Sequence, residues 1–350
     1  MSQTVLKSLN QALHDLMARD ERVVLIGEDL LDPYGGAFKV VKGLSSLYPE
    51  RVFTSPISEA GFTGIASGMA MRGLRPIVEI MFGDFLMLAA DQLLNHITKY
   101  RWMYNEQVTV PMVIRAPMGA RRGYGPTHSQ SIEKHFIGMP GLRVVAPSPF
   151  HDPGALLTHA VIHDDEPVIF VENKLMYSRL LKEATSNARL GDLFVRVSAD
   201  AYPTVTLSYD AFTHADVTLV AYGGMAEIAE AAAEKLLFED EVYCELVFPS
   251  CIQPVALAPI LASLARSGHL VVCEEGSQTA GWGAEVVAQV STKAFDLLQQ
   301  APARVAAMEY PIANTRTLED FILPQVDDIV EAVRATLSKP RTDQLHVVRG

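Results

Sequence analysis

Apolar strand-like runs alternate with helix-like segments along most of the chain, and this alternation restricts the fold more than any other feature. Runs such as 23–26 and 270–273 are continuously apolar, which is typical of strands whose two faces are both covered. Segments with apolar residues at helical spacing, such as 6–17 and 58–71, lie between the strands. Strands that alternate with helices pair in parallel sheets. The sequence therefore predicts an α/β fold.

Two series of elements are separated by a stretch in which the pattern weakens, and 350 residues are enough for two domains. The first series comprises predicted helices 6–17, 38–47, 58–71, 84–104 and 152–162 and strands 23–26, 51–54, 76–80, 111–116, 143–146 and 168–172. The second comprises predicted strands 218–221, 242–247, 270–273 and 304–308 and helices 225–237, 255–265, 283–298 and 327–337. We predict two parallel-sheet α/β domains, 1–180 and 211–350, joined by a linker, 181–210, with at most one short hairpin.

The composition disfavours several classes of protein. With 29 Lys and Arg residues against 41 Asp and Glu, the net charge of −12 argues against a clamp for nucleic acid or an anionic membrane, which needs a basic surface. No apolar run approaches the roughly 20 residues of a membrane span, and the first residues have neither signal-peptide nor transit-peptide character. Three cysteines without CxxC spacing indicate neither a zinc site nor a disulfide framework. We expect a cytoplasmic protein that binds neither nucleic acid nor membrane.

Common catalytic motifs are absent or incomplete. The sequence has no GxxxxGK[ST], HExxH, GxSxG or GxGxxG pattern, so a phosphate loop, a zinc protease, a nucleophile elbow and a dinucleotide site are not indicated. Ser131 and Lys134 spell SxxK, but no SDN or KTG segment accompanies them. A serine acylase is therefore not expected.

The segment 56–68 brings an acidic residue to the start of a helix. Ser58 is suited to cap the predicted helix 58–71, which places Glu59 in its first turn. In one interpretation Glu59 only complements the helix dipole, and the small residues after it permit close packing. In the other, the carboxyl is held in a dry crevice, where it can share a proton with a heterocycle nitrogen. The residues alone leave both interpretations open.

A loop rich in glycine, 119–131, follows a predicted strand and leads into a helix expected near residue 132. His128 on this loop is either an ordinary loop histidine or a group that donates or accepts a proton in catalysis. Arg121 and Arg122 are either a solvated pair or the residues that attract a carboxylate substrate. The loop is therefore a candidate for the substrate side of a site.

Two further candidates follow predicted strands. Glu28 comes shortly after strand 23–26, at the carboxyl end where parallel α/β sheets bind ligands. Phe85 lies between strand 76–80 and the long predicted helix, where its ring either packs in the core or faces a flat cofactor. An ordinary loop acid and a core aromatic residue are the structural alternatives.

A long, ordered series of segments carries a family resemblance. The segments include GEDLLDPYGGAFKVVKGL (27–44), PISEAGF (56–62), PTHSQS (126–131), PGLRVVAPS (140–148), EPVIFVENKLMY (166–177) and VVCEEGSQTAGWGAE (271–285). Together they resemble the beta subunit of the thiamine diphosphate-dependent 2-oxoacid dehydrogenases, the decarboxylating component of pyruvate and branched-chain dehydrogenase complexes. The resemblance extends over about residues 4–338.

The resemblance implies a transketolase-like pyrimidine-binding domain and a transketolase C-terminal-type domain, in an α2β2 heterotetramer with a separate alpha subunit. The alpha subunit of such enzymes carries a GDG motif that holds Mg²⁺ and the diphosphate, and no GDG tripeptide occurs here. Thiamine diphosphate and Mg²⁺ are therefore the expected cofactors, with no metal ligand from the side chains of this chain. K⁺ bound by backbone carbonyls near residues 160–165 is a further expectation. A 2-oxoacid would be decarboxylated and its acyl group passed to a lipoyl-bearing acyltransferase.

The resemblance also implies roles for individual residues. Glu59 would contact the aminopyrimidine ring of the cofactor and exchange a proton with it, which prepares the cofactor for attack on the 2-oxo carbon. Phe85 would pack against the aminopyrimidine, and Ile57 would belong to the same binding site. Glu28 would lie near the cofactor in a polar channel between sites. His128 would steer the substrate or the incoming lipoyl group.

One segment departs from the family pattern. Relatives usually read something like DLRTLxPLD where this chain has ELVFPSCIQPV (245–255), so the usual arginine is missing. The chain also continues through 338–350, past the usual end of the second domain. A non-oxidative thiamine-dependent carboligase, or a biosynthetic acyl or aldehyde transferase on the same scaffold, is therefore the alternative function.

Overall fold

Two sheets of seven strands each organise the computed structural model, which describes residues 3–182 and 184–338. The first sheet contains β1 (Val23–Gly27), β2 (Val52–Thr54), β3 (Arg75–Glu79), β4 (Val113–Met118), β5 (Arg143–Val145), β6 (Val168–Asn173) and β12 (Cys251–Gln253). The second contains β7 (Arg189–Leu190), β8 (Leu193–Val197), β9 (Thr204–Ser208), β10 (Val217–Ala221), β11 (Cys244–Pro249), β13 (Leu270–Ser277) and β14 (Ala303–Ala307). The predicted α/β class with two sheets of mainly parallel strands is confirmed.

Helices cover both sheets. They are α1 (Val5–Arg19), α2 (Leu44–Leu47), α3 (Glu59–Met71), α4 (Thr98–Met103), α5 (Pro153–Ile162), α6 (Met225–Asp240), α7 (Leu257–Ser267), α8 (Trp282–Lys293), α9 (Arg316–Ile322) and α10 (Val326–Ser338). Within 3–182 and 184–338, no helix has the length and apolar character needed to cross a membrane.

The first sheet has the strand order β12-β5-β6-β4-β3-β1-β2, and its six strands from the first domain pair in parallel. All five residues of β1 are buried, as expected for a strand covered on both faces. On one face, α1 packs Leu9, Leu13 and Leu16 into the core, because these residues lie on one side of the helix. Because β4, β3, β1 and β2 are parallel neighbours, their carboxyl ends lie side by side along one edge of the sheet.

The second sheet has the order β14-β13-β10-β11-β9-β8-β7. Strands β10, β11, β13 and β14 are parallel, whereas β9, β8 and β7 pair antiparallel. These three antiparallel strands lie in the segment predicted as a linker, 181–210. That segment therefore forms more sheet structure than the short hairpin expected from its mixed polar composition.

The two sheets share a continuous core. One apolar cluster contains Ile169 from the first sheet and Val272 and Trp282 from the second half of the chain. The indole Nε1 of Trp282 donates to the carbonyl of Ile252 at 3.0 Å. Ile252 itself lies in β12, which pairs antiparallel with β5 of the first sheet.

Three predicted helices differ from the structure. The long helix 84–104 is instead a 3₁₀ segment (Gly83–Ala89), a π segment (Gln92–Ile97) and the short α4. Only α2 is helical within the predicted helix 38–47. The helix expected near residue 132 is a single 3₁₀ turn, Glu133–His135. The C-terminal extension beyond residue 338 lies outside the described residues.

Candidate active site

The candidate residues gather at the carboxyl edge of the first sheet. Glu28 follows β1, Glu59 follows β2, Phe85 follows β3 and His128 lies in the loop after β4. Because β4, β3, β1 and β2 are neighbours in the sheet, their carboxyl ends bring these four residues to one edge, where α/β sheets bind ligands.

Two buried carboxyls form one side of the site. Ser58 is the N-cap residue of α3, so Glu59 is the first residue of the helix. Glu59 is 4% exposed and Glu28 6% exposed, and Oε1 of Glu28 has no hydrogen-bond partner among the described residues. Burial raises the pKa of the Glu28 carboxyl, and the nearby charges of Glu59 and Asp29 raise it further. The Glu28 carboxyl can therefore hold a proton in a site with little water.

A cluster of aromatic rings lies at the same edge of the sheet. The Phe85 and Phe82 ring centroids lie 6.0 Å apart. The His128 ring stands nearly perpendicular to both, with centroid distances of 5.2 Å to Phe85 and 4.8 Å to Phe82. All three side chains are only partly buried, so this cluster presents ring surface to the edge of the sheet.

The loop 119–131 is held at both ends by one side chain of the second domain. Oε1 of Glu275 accepts from the Ala120 N–H at 2.9 Å and from the Ser131 hydroxyl at 2.8 Å. The loop begins at Gly119, whose φ is +95° and where a Cβ would lie 2.6 Å from the Asn173 amide nitrogen. Only glycine fits this start without displacing its neighbours.

The two loop arginines point to different places. The Arg121 N–H donates to Oε1 of Glu319 at 2.6 Å, and its guanidinium donates to the Pro324 carbonyl at 2.5 Å. Arg121 therefore faces the second domain. Arg122 is exposed and donates to the Lys174 carbonyl at 3.1 Å. The geometry favours Arg122 of the two for a substrate carboxylate, and that role stays a prediction.

Ile57 comes two residues before Glu59 but lies in a very different environment. Its side chain is 82% exposed, although Glu59 two residues later is buried. The predicted contact of Ile57 with a cofactor therefore needs a ligand or a partner surface that covers it, and it also stays a prediction.

A buried charge network under the site was not found from the sequence. The Arg115 guanidinium binds Glu172 through two hydrogen bonds of 2.7 and 2.8 Å and Glu79 through a third of 2.6 Å. The Tyr177 hydroxyl donates to the same Glu172 at 2.6 Å. These charges lie in three neighbouring strands whose other residues are mostly apolar. A charged residue inside an apolar strand was the signal that could have revealed them.

A further buried acid, Glu133, lies where the two domains meet and was also not predicted from the sequence. Glu133 is 3% exposed and accepts from the Tyr222 hydroxyl at 2.5 Å, while its Oε2 has no partner in the described part of the chain. Burial raises its pKa to about 7. Glu133 and Tyr222 line a cavity of about 20 Å³, together with Asn173 and Glu275, which is large enough for one water molecule.

The chemistry of these residues fits the aminopyrimidine side of thiamine diphosphate. The unpartnered Oε1 of Glu28 and the buried Glu59 carboxyl can accept from or donate to a heterocycle, and the Phe82 and Phe85 rings can pack against one. In contrast, residues 3–182 and 184–338 contain no group of three or more His, Cys, Asp or Glu side chains able to hold a metal.

Two carbonyls of the segment 160–165, where K⁺ binding was expected, already have a cationic partner. Nη1 of Arg75 donates to the Val161 carbonyl at 2.9 Å and to the Asp164 carbonyl at 2.8 Å. A K⁺ ion at these two oxygens would lie beside the positive guanidinium, which opposes its binding.

Comparisons with known families and structures define the class of protein. Residues 2–179 match the family "Transketolase, pyrimidine binding domain", and residues 213–329 match "Transketolase, C-terminal domain". A solved structure described as "Split gene transketolase, inactive beta4 tetramer" covers 97% of this chain and 100% of that chain, with a TM-score of 0.69 and 21% identity. The protein is therefore a two-domain transketolase-type protein.

Two relatives of known function identify the family within this class. The chain is 38% identical to "Pyruvate dehydrogenase E1 component subunit beta-2, mitochondrial" of Oryza sativa subsp. japonica, over 95% of this chain and 85% of the relative. It is 36% identical to "Pyruvate dehydrogenase E1 component subunit beta" of Rickettsia bellii, over 95% of this chain and 98% of the relative. The chain belongs to the beta-subunit family of the thiamine diphosphate-dependent 2-oxoacid dehydrogenases. The resemblance expected from its motifs is confirmed.

Proposed function

We propose that this subunit works with an alpha subunit in an α2β2 heterotetramer that decarboxylates a small 2-oxoacid and passes the acyl group to a lipoyl-bearing acyltransferase. The observation that carries the proposal is the pair of buried carboxyls, Glu28 and Glu59, beside aromatic rings at the carboxyl edge of the first sheet. The relatives named as pyruvate dehydrogenase subunits make pyruvate the first substrate to test.

Each residue at this edge has a proposed task. Thiamine diphosphate, when bound, supplies the nucleophilic carbon and the electron sink for decarboxylation. Glu59 exchanges a proton with the aminopyrimidine nitrogen, and Glu28 keeps a proton close to it, because burial and like charge favour its protonated form. Phe85 packs against the aminopyrimidine ring. His128 donates a hydrogen bond to the substrate or to the acyl acceptor.

The proposed partner supplies the rest of the site. Apolar side chains are exposed in the segments that follow β2 and β3: Ile57 at 82%, Ile65 of α3 at 57% and Leu88 of the 3₁₀ segment at 58%. Apolar side chains exposed to this extent are suited to burial against another subunit. We propose that this subunit is the alpha chain, that it holds the diphosphate and Mg²⁺, and that the assembly is cytoplasmic.

Co-purification with a candidate alpha subunit, followed by binding and activity assays, tests the proposal. We expect the single chain to bind thiamine diphosphate weakly and the assembled complex to bind it tightly in isothermal titration calorimetry, because this chain contributes only the aminopyrimidine side. Equally tight binding by the single chain would contradict a shared site.

The substrate and the acceptor are tested on the same complex. A panel of small 2-oxoacids is assayed for CO₂ release with and without a lipoyl domain, and acylation of that domain is followed by mass spectrometry. Acylation supports the proposal. CO₂ release with no lipoyl acylation, together with a new carbon–carbon bond when an aldehyde is added, would instead support the carboligase alternative.

A further inference from the structure

We propose that Lys174 is a positioning residue for His128: it grips the His128 backbone carbonyl and thereby sets where the imidazole stands at the site. The inference rests on the proposed role of His128 and adds a residue to which neither the motifs nor the comparisons assign a role. Three observations carry it: the burial of Lys174, its bonding partners, and the orientation of the His128 ring.

Lys174 is fixed by the first sheet. It comes directly after β6, and its N–H donates to the Met118 carbonyl at the end of β4 at 2.9 Å. The whole residue is 0% exposed. Its ammonium group therefore extends from a rigid part of the fold, which suits a residue that must hold another in place.

The ammonium group of Lys174 is committed to the loop. Its Nζ donates to the His128 carbonyl at 2.5 Å, and no carboxylate of the described residues lies within ion-pair distance of it. The Phe82 ring centroid lies 5.2 Å from Nζ and the Tyr124 centroid 5.9 Å, so ring faces supply part of the compensation for the buried charge.

A buried lysine without an ion-pair partner lowers the stability of the folded protein. A lysine that only stabilised the fold would therefore not be expected here. Burial lowers the pKa of Lys174 to about 8, and the positive charge of Arg122 adds a smaller lowering effect. The negative charges of Asp84, Glu275 and Glu319 act in the opposite direction and raise it. The amine is therefore still protonated at neutral pH, and its bond to the His128 carbonyl is charge-assisted.

Lys174 holds the loop at two points. Besides the bond from Nζ to His128, its own carbonyl accepts from Nη1 of Arg122 at 3.1 Å. The His128 ring is then oriented by Thr127, whose hydroxyl lies 2.9 Å from Nδ1. Nε2 has no hydrogen-bond partner in the described part of the chain and is the nitrogen left for a ligand.

A double-mutant cycle in the assembled enzyme tests the inference. Lys174→Met keeps the apolar stem but removes the donor, and we expect kcat/KM to fall roughly 10- to 100-fold, because small displacements of a reacting group are costly. Lys174→Gln restores a neutral donor one bond shorter and should recover part of the loss. In a His128→Ala background, Lys174→Met should have almost no further effect, because its target ring is gone.

Lys134→Met is the matched control. Lys134 also donates to main-chain oxygens, those of Ser277 at 3.2 Å and Thr279 at 2.7 Å, but it does not touch His128. Parental kcat/KM is expected for this variant, and circular dichroism and Tm of every variant report whether folding is retained.

The outcomes separate this inference from the proposed function. If His128→Ala keeps the parental kcat/KM, His128 has no role in the reaction, and the proposed site assignment would be contradicted as well. If kcat/KM falls in His128→Ala but stays at the parental value in Lys174→Met, the positioning inference alone would be overturned. An equal loss from Lys174→Met with and without the His128 ring would also overturn it, since Lys174 would then act by another route.

Discussion

At the scale of single residues, the site depends on acids that folding removes from water. Glu59 gains its position from the start of α3 and Glu28 from the end of β1, so rigid elements rather than flexible loops hold both. Burial raises the pKa of the Glu28 carboxyl, and the nearby charge of Glu59 raises it further. The Glu28 carboxyl therefore favours its protonated form, and a proton held near the reacting groups is what acid–base catalysis requires.

Glu59→Gln tests this arrangement in the assembled enzyme. The amide keeps the size of the side chain but cannot exchange a proton, so decarboxylation should fall by at least about 100-fold. Assembly, followed by size-exclusion chromatography, should be unchanged. Glu21→Gln, at an exposed position before β1, is the control and should leave turnover intact. Near-normal turnover of Glu59→Gln would contradict the proton-exchange role.

Sequence motifs predicted some of these residues but not their bonding partners. Glu59 and His128 were predicted because the family resemblance implies a role for each of them. Lys174 and Glu133 were not, although both are buried, because a linear pattern indicates burial without showing which distant groups will meet. The bond between Lys174 and His128 joins residues 46 positions apart and becomes evident only once β6 and the loop after β4 are neighbours.

At the scale of elements, backbone conformation decides where the site loop goes. The loop 119–131 begins with a positive φ at Gly119 and contains three more such residues, Arg121, Gly123 and Gly125. Its glycines and proline correctly predicted a loop here, whereas apolar periodicity failed for the helix 84–104. The α-helix differs from the 3₁₀ and from the π form by less than one residue per turn, so a short apolar repeat does not distinguish it from either.

Gly119→Ala tests the start of the loop. Positive φ costs an alanine about 1–2 kcal/mol, and the new Cβ would also lie 2.6 Å from Asn173 and 3.0 Å from Glu275. Both Tm and kcat/KM should therefore fall, because Glu275 holds the two ends of the loop. Gly138→Ala is the matched control, since Gly138 has φ +88° but no atom within 4 Å of its added Cβ. Equal losses in the two variants would contradict the crowding argument.

At the scale of the whole molecule, the seam between the sheets contains ionisable groups as well as apolar ones. Glu133 and Tyr222 meet there in a buried hydrogen bond, and Glu275 reaches across to the loop of the first domain. The apolar cluster that joins Ile169 to Val272 surrounds this polar region. A buried carboxyl with a raised pKa therefore lies in the contact between the two domains.

Glu133 predicts a specific pH dependence of stability. Its pKa rises from 4.5 to about 7 on folding, so between these values the folded state binds more protons than the unfolded state. Stability from this group is complete below the unfolded value and is lost as pH rises through the folded one. Glu133→Gln should thus raise the free energy of unfolding at about pH 8 by at most about 3 kcal/mol, and by much less at about pH 5.

Thermal unfolding at the two pH values measures this difference. Glu285→Gln, at an exposed position on α8, is the control and should change Tm equally little at both. A Tm gain for Glu133→Gln that is the same in acid and in mild base would show that the carboxyl is not protonated in the folded protein.

The short strand β12 determines how the protein can be divided. It belongs by sequence to the C-terminal half, yet it completes the outer side of the first sheet by pairing with β5. A fragment ending near residue 180 would therefore lack this strand and leave the outer edge of β5 unpaired. An unpaired strand edge is a template for intermolecular sheet formation and aggregation. Expression of the N-terminal half by itself would need residues 251–253 supplied in some form, for example as a grafted peptide.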